Sequence, residues 1–514
     1  MSKKSTDYLF RLIKSLNKAE KRHFKLYSKR NSPEGNVLFL QLFDELDKQK
    51  DYNEALILKR VPGISKRQLA NLKSNLYRKL LASLRLLNRN QILPIGIREL
   101  LDYAHVLYHK GLYQQSLSIL DKARNKALDA KLHALALEIV TFEKQIESQY
   151  INRSIETKAE ELIDQSSELT RQVRGENAFS NLSLKLYGLM LKMGFAKNEE
   201  EHAYAIHIFN AYLPTYKEEE LSFFEKLYLY QSYVWIFTIT LELPRQYRYA
   251  RKWVHLFRDS PDMIANNISI YLKGHHNLLN SLFLTLQYDQ YESELKDFMA
   301  FNHDGRYSFS ENEASLHALY AYLHRINRHY LEGTFTEGTQ WIAELVEVIE
   351  KGVYKWDVHR ILVFYYKIAC LYFGSGQNEM AVEYLNRIIN WVNPDFRADI
   401  QCFARILNTI AHFEIGNTLL VSYQLKSVYR YLSKMEELNE MYRAVLRFLR
   451  RTPSMRKKDM PLEFKALKAE LEEVQSQPFE KRSLLYLDII SWLESKIENR
   501  PIEEVIRGKY LGRK

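Results

Sequence analysis

Asp102, His105 and His109 fall at i, i+3 and i+7, which puts a carboxylate and two imidazoles on one face of a helix. That set has the donor chemistry of a metal site, but no fourth ligand lies near it in sequence, so no metal is expected. Cys370 and Cys402 make neither a disulfide framework nor a ligand cluster and read as small buried residues. His275, His276, His324 and His329 lack partners at ligand spacing and read as core or surface histidines. The chain carries no Gly-rich phosphate loop, no H-E-x-x-H and no G-x-S-x-G. Neither enzymatic activity nor a cofactor is expected.

The other chemistry is electrostatic. Of 514 residues with a net charge of +11, the first 91 hold 21 Lys/Arg against 8 Asp/Glu, and the rest hold 53 against 55. The excess of positive charge therefore sits at one end, where an anionic partner would be met. The stretch GISKRQLANLKSNLYRKLLASLRLLNR, residues 63–89, has no carboxylate. Wound as a helix capped by Ser65, it places Leu69, Leu72, Leu76, Leu80 and Leu87 on a core face. Arg67, Arg78, Arg85 and Arg89 form a stripe opposite, with no Glu at i±4 to neutralise them. The Val61-Pro-Gly-Ile-Ser turn before it resembles that of a helix-turn-helix, in which Lys66, Arg67 and Lys73 would reach phosphates or base edges. The competing reading is a solvated basic face, or one docked on an acidic partner.

The elements that must hold these residues are helical. Gly and Pro number 17 and 11, too few for the turns of a strand-rich chain, while apolar residues make up 46%. The longest apolar segment, YLYQSYVWIFTITLELP, is broken by Gln231 and Ser232 and falls short of the roughly 18 residues a membrane span needs. A cytoplasmic protein is expected. Within residues 1–91, Asn17 and Glu20 have capping-box spacing, and helices are predicted over about 37–48, 53–60 and 65–89.

From about residue 95 the pattern changes to helical pairs. In FYYKIACLYFGSGQNEMAVEYLNRIINWVNP, residues 364–394, one helix ends at Phe373, a Gly-Ser-Gly turn follows, and a second begins near Asn378. Ala369 and Ala381 fall where two helices approach closely. This resembles the tetratricopeptide repeat. A second match, residues 98–128, has Ala104, Tyr108, Gly111, Tyr113 and Ala123 in place, with Ser116 for the usual Ala. A third, residues 404–432, keeps Gly416 but has Val421 at an Ala position. Weaker pairs fill 227–257, 275–301 and 314–352. The start Leu16 to Tyr27, L-x-K-A-E-K-R-x-F-K-x-Y, also resembles a family of uncharacterised cytoplasmic repeat proteins of Bacteroidetes-type bacteria, which implies no function.

The repeat resemblance implies an all-α chain: a solenoid of stacked antiparallel hairpins over 95–445, after a basic helical module over 1–91 and before capping helices and a basic tail over 453–514. It implies a concave face that binds a peptide or helix of another protein. On that face would lie His105, Tyr108, His109, Tyr366, Cys370, Phe373, Ile406 and Ile410. A scaffold is the first expectation; the second is a regulator whose basic module contacts nucleic acid through Lys66, Arg67, Lys73, Arg78, Arg85 and Arg89.

Overall fold

The computed structural model describes residues 8–31, 36–149, 158–391, 397–435, 439–456, 458–477, 479–480 and 488–513. Among them every regular element is a helix, and none is long and apolar enough to cross a membrane. The chain divides into two compact units, 1–173 and 174–514.

The first unit opens with α1 (Tyr8–Ser15), α2 (Lys18–Asn31), α3 (Asn36–Lys48), α4 (Glu54–Arg60) and α5 (Lys66–Asn88). The ends of these helices follow their capping residues. Asn17 Oδ1 accepts from the Glu20 N–H at 2.9 Å while Glu20 Oε2 accepts from the Asn17 N–H at 2.8 Å. Asn53 Oδ1 caps the Leu56 N–H at 3.1 Å, and Gln68 Oε1 reaches back to the Ser65 N–H at 3.3 Å. Leu69, Leu76 and Leu80 bury the inner line of α5 against Ile13, Phe24 and Leu46. The expected continuation through Leu87 is corrected: Ser83 takes the buried position, its hydroxyl 2.8 Å from His23 Nδ1, and Leu87 stays at the edge.

A second core in this unit joins α6 (Leu93–His109), α7 (Tyr113–Asp129), α8 (His133–Glu147) and the leading part of α9 (Lys158–Met193). Ser116, standing where the repeat favours Ala, is buried and donates to the Ala104 carbonyl at 2.8 Å, so the close approach is kept and its hydroxyl satisfied.

The second unit contains the rest of α9, then α10 (Glu199–Tyr212), α11 (Phe223–Ile239), α12 (Leu243–Arg258), α13 (Ile268–Leu284), α14 (Tyr288–Ala300), α15 (Glu311–Glu332), α16 (Phe335–Thr339) and α17 (Ile342–Glu350). It continues with α18 (Val358–Gly374), α19 (Asn378–Ile389), α20 (Ala398–Ile415), α21 (Thr418–Lys434), α22 (Glu440–Arg451), α23 (Met460–Ser476), α24 (Ile489–Glu498) and α25 (Ile502–Leu511). One apolar core runs through it from Phe179 to Leu493. Most successive helices pack on each other, and α13, α15, α18 and α20 also pack in that order, each on the next.

One turn recurs. After α11, α13, α15, α18 and α20 a residue with positive φ stands at Leu241, Leu286, Gly333, Gly376 or Gly416, so the turns fall 45, 47, 43 and 40 residues apart. The next N–H in each case donates to the carbonyl five residues back, at 2.9–3.0 Å. This is the Schellman closure, which satisfies carbonyls a helix end leaves open. Gly111 and Lys131 make the same turn in the first unit. The interval exceeds the 34 residues of a tetratricopeptide unit, and the connections between pairs, such as 259–267 and 301–310, account for part of the excess.

The last helices do not end on the final hairpin. Trp492 of α24 packs edge-on against Phe413 and Phe464, and its Nε1 donates to Glu414 at 2.7 Å. Helix α25 then lies across earlier turns. Arg507 donates to the Glu332 carbonyl at 3.1 Å, and the Tyr510 ring meets Tyr288 with centroids 4.9 Å apart. At Gly333 a side chain would come within 2.4 Å of the Arg507 backbone nitrogen, so α25 sits directly on that turn.

Candidate partner-binding face

On α6, His105 is exposed and stacks on Phe142 with centroids 3.9 Å apart; Tyr108 is half-buried, its hydroxyl 3.1 Å from Gln149 Oε1; His109 is exposed. Asp102 instead holds Arg85, at 2.7 Å. Among the described residues no group of three or more His, Cys, Asp and Glu is placed to hold a metal ion.

The other expected lining is corrected. Tyr366, Cys370, Phe373, Ile406 and Ile410 are at most 8% exposed and belong to the core of the second unit. Tyr366 faces Phe403, which in turn meets Tyr442. The half-buried positions of α18 are Val358, Arg360, Ile361, Val363, Lys367 and Tyr372, and Lys367 stands one residue, a rotation of about 100°, from Tyr366.

Those positions align with others on the neighbouring leading helices. Lys273 and His276 on α13 and Arg360 and Lys367 on α18 are half-buried, and they meet Tyr320, His324 and Asn327 of α15, which are buried between them. Lys273 Nζ stands 4.1 Å from the centre of the Tyr187 ring and 5.0 Å from that of Trp235. The His276 ring lies flat on Tyr320, centroids 4.2 Å apart and planes 4° from parallel. Lys367 Nζ donates to Asn327 Oδ1 at 2.6 Å, with the rings of Tyr330 and Phe283 at 5.1 and 5.5 Å.

The histidines there have defined proton positions. Tyr291 donates to the His324 carbonyl at 2.9 Å, and its oxygen lies 3.1 Å from His324 Nδ1. A carbonyl only accepts, so the tyrosine proton points to it and His324 Nδ1–H donates to the hydroxyl oxygen. With that tautomer His324 Nε2 is a lone pair 3.0 Å from His276 Nδ1, which would donate to it. Both rings are neutral, because burial pushes His276 down to about 3 and His324 well below its usual value. His324 is fully buried, a core histidine as its sequence surroundings suggest, with Tyr291 and His276 at its ring nitrogens.

The cluster is cationic with little to balance it. Arg360 pairs with Asp357 one turn earlier at 3.4 Å. Lys273 and Lys367 have no carboxylate within ion-pair distance among the described residues. Burial lowers the ammonium of Lys273, with Arg360 adding to the effect, and pushes Lys367 down to about 8.

The basic stripe of α5 is divided. Lys66, Arg67 and Arg78 are exposed, Arg78 donating to Asn75. Lys73 donates to the Tyr52 hydroxyl at 2.7 Å and lies over its ring. Arg85 and Arg89 pair with Asp102 and Glu99 of α6, at 2.7 and 3.4 Å. The neutralising carboxylates absent from i±4 come from the next helix. On α2, Lys21 and Lys25 are likewise held, by Asp47 and Asp44, both at 2.7 Å.

Sequence reasoning missed Lys273, His276, Tyr320, Asn327, Arg360 and Lys367 as a set. The available signal was polar residues one turn apart on the leading helix of successive pairs, as at 273/276, 320/324/327 and 360/367. No family model, no curated protein and no solved structure matches this chain.

Proposed function

We propose that this protein is a non-enzymatic interaction scaffold, a tetratricopeptide-like array whose leading helices α13, α15 and α18 offer an inner face to a segment of a partner protein. The observation that carries the reading is the face itself, with half-buried cations on α13 and α18, aromatic rings beside them, and no carboxylate among the described residues engaging Lys273 or Lys367. Rings and long cationic side chains in partly desolvated positions are the groups that dominate protein interfaces. Each 100 Å² of apolar surface covered there would contribute about 2.5 kcal/mol before the costs of association. His105, Tyr108 and His109 on α6 would be a separate contact.

The test is selection of binding peptides from a random displayed library by the full chain, with competition by a variant carrying Tyr320→Ala. Peptides that bind the parent and not the variant support the reading. Failure to recover any, or equal binding by both, counts against it.

A second reading rests on Lys66, Arg67 and Arg78, which remain exposed and without an ion pair among the described residues. In it the basic module contacts nucleic acid, with the repeats recruiting a partner. Titration of a short duplex against salt decides it: log affinity falling with log salt at a slope of about −0.9 per phosphate contact supports it. No binding near physiological salt, or binding unchanged in Arg67→Glu/Arg78→Glu, removes it.

A further inference from the structure

We propose that the Lys273–Lys367 cluster is a receptor for an acidic peptide segment of a partner protein, two of whose carboxylates each meet one lysine while an apolar side chain between them rests on the half-buried Tyr187 and His276 rings. This rests on the scaffold reading and adds the chemistry of what is bound.

Three observations define the ligand. The charge to be met is positive and uncompensated. Arg360 is engaged by Asp357, whereas among the described residues Lys273 contacts only rings and Lys367 uses one of its three N–H donors on Asn327, leaving two. The charges are also separated. Lys367 lies beside the Phe283 ring, and Phe283 is ten residues beyond Lys273 on α13, or about 15 Å at 1.5 Å per residue. Two separate point charges fit two carboxylates rather than one dianion. An extended segment covers that span in four or five residues at ~3.3 Å each.

The surface between the lysines is aromatic and accepting. His276 is stacked on Tyr320, and once its Nδ1–H is given to His324 its Nε2 is a lone pair with no partner among the described residues. That atom would accept a backbone N–H of the segment. A neutral imidazole does not add to the repulsion between cations, so the positive charge stays at the lysines, where a ligand offsets the cost of their partial burial.

The test uses the full chain and pools of random displayed 12-residue peptides. The recovered peptides are expected to carry at least two Asp or Glu spaced around an apolar residue. Their affinity should drop at least tenfold when those acids are changed to Gln, and by a similar factor in Lys273→Gln/Lys367→Gln. It should be kept in Lys273→Arg/Lys367→Arg, which retains charge where the Gln pair perturbs folding. Neutral or basic peptides that bind the Gln variant as well as the parent would overturn this inference and leave the scaffold reading standing. Recovery of none would overturn both. A DNA duplex that binds the chain and loses affinity in the same Gln variant would overturn it in favour of nucleic acid on this face.

Discussion

Lys367 on α18 donates to the side-chain oxygen of Asn327 on α15 at 2.6 Å, a lysine–amide pair with no carboxylate among the described residues bound to the ammonium. Burial pushes that lysine down to about 8. The folded state therefore disfavours the charged form, and its cost to stability, present below pH 8, is relieved as pH rises from about 8 towards the unfolded value. A carboxylate bound there favours the charged form and raises the value. Observed by NMR of methyl-labelled lysines, Lys367 should titrate near 8 alone and higher with a bound acidic peptide. A peptide that binds without moving that titration does not meet Lys367.

His275, His276 and His324 make acid stability steep. Burial holds the first two down to about 3 and the third well below its usual value, so all three are neutral in the fold. Their contribution is complete above pH 6.5, where the unfolded chain also leaves them neutral. It is lost as pH falls towards 3, because the unfolded chain takes up protons the fold refuses. Each adds a slope of about 1.4 kcal/mol per pH unit in that window. Urea midpoints at pH 7, 5.5 and 4.5 should show this, and His276→Gln should reduce the slope by about one histidine's share. An unchanged slope would mean that His276 is charged in the fold.

The recurring turns separate strain from contact. Gly333 and Gly376 both have positive φ, but a side chain at 376 meets nothing within 4 Å, whereas one at 333 strikes the Arg507 backbone. Gly376→Ala should cost about 1–2 kcal/mol from the left-handed backbone alone. Gly333→Ala should cost more and speed hydrogen exchange in residues 502–511, because α25 must lift. Leu286 occupies the same conformation with a side chain, so Leu286→Gly should stabilise by about 1 kcal/mol. Equal exchange in 502–511 for the two alanine variants would place α25 elsewhere.

In the first unit Arg124 and Glu143 form a buried pair, 8% and 1% exposed. Burial raises the Glu143 carboxyl and Arg124 opposes that rise. Arg124→Met removes the opposing charge and should destabilise by about 3–5 kcal/mol at neutral pH, less in acid where Glu143 is protonated. Arg124→Met/Glu143→Met should recover most of the loss. If the single and double variants unfold at the same denaturant concentration, the pair is not what holds α7 to α8.

What was legible in the sequence was local. The turn at Gly376, the small residues Ala369 and Ala381, and the caps at Asn17 and Asn53 act within a few residues of themselves and are formed. The turns at Leu241 and Leu286 were not legible as such, because their left-handed residues are neither Gly nor Asn. The candidate face was missed for a related reason. His276 and His324 stand 48 residues apart, about one repeat, so they meet only when one leading helix is laid on the next. On α18, Tyr366 is covered and Lys367 half-buried although they differ by a single rotation, and only the neighbouring helices decide which is covered. Likewise, Asp102 and Glu99 neutralise the stripe of α5 from another helix.

The most direct test of the central claim is hydrogen exchange of the full chain with and without a selected peptide. If α13, α15 and α18 receive the partner segment, protection should appear in residues 268–284, 311–332 and 358–374. Residues 66–88 should exchange as before. Protection confined to 66–88 or to 93–109, with the three leading helices unchanged, would contradict the account.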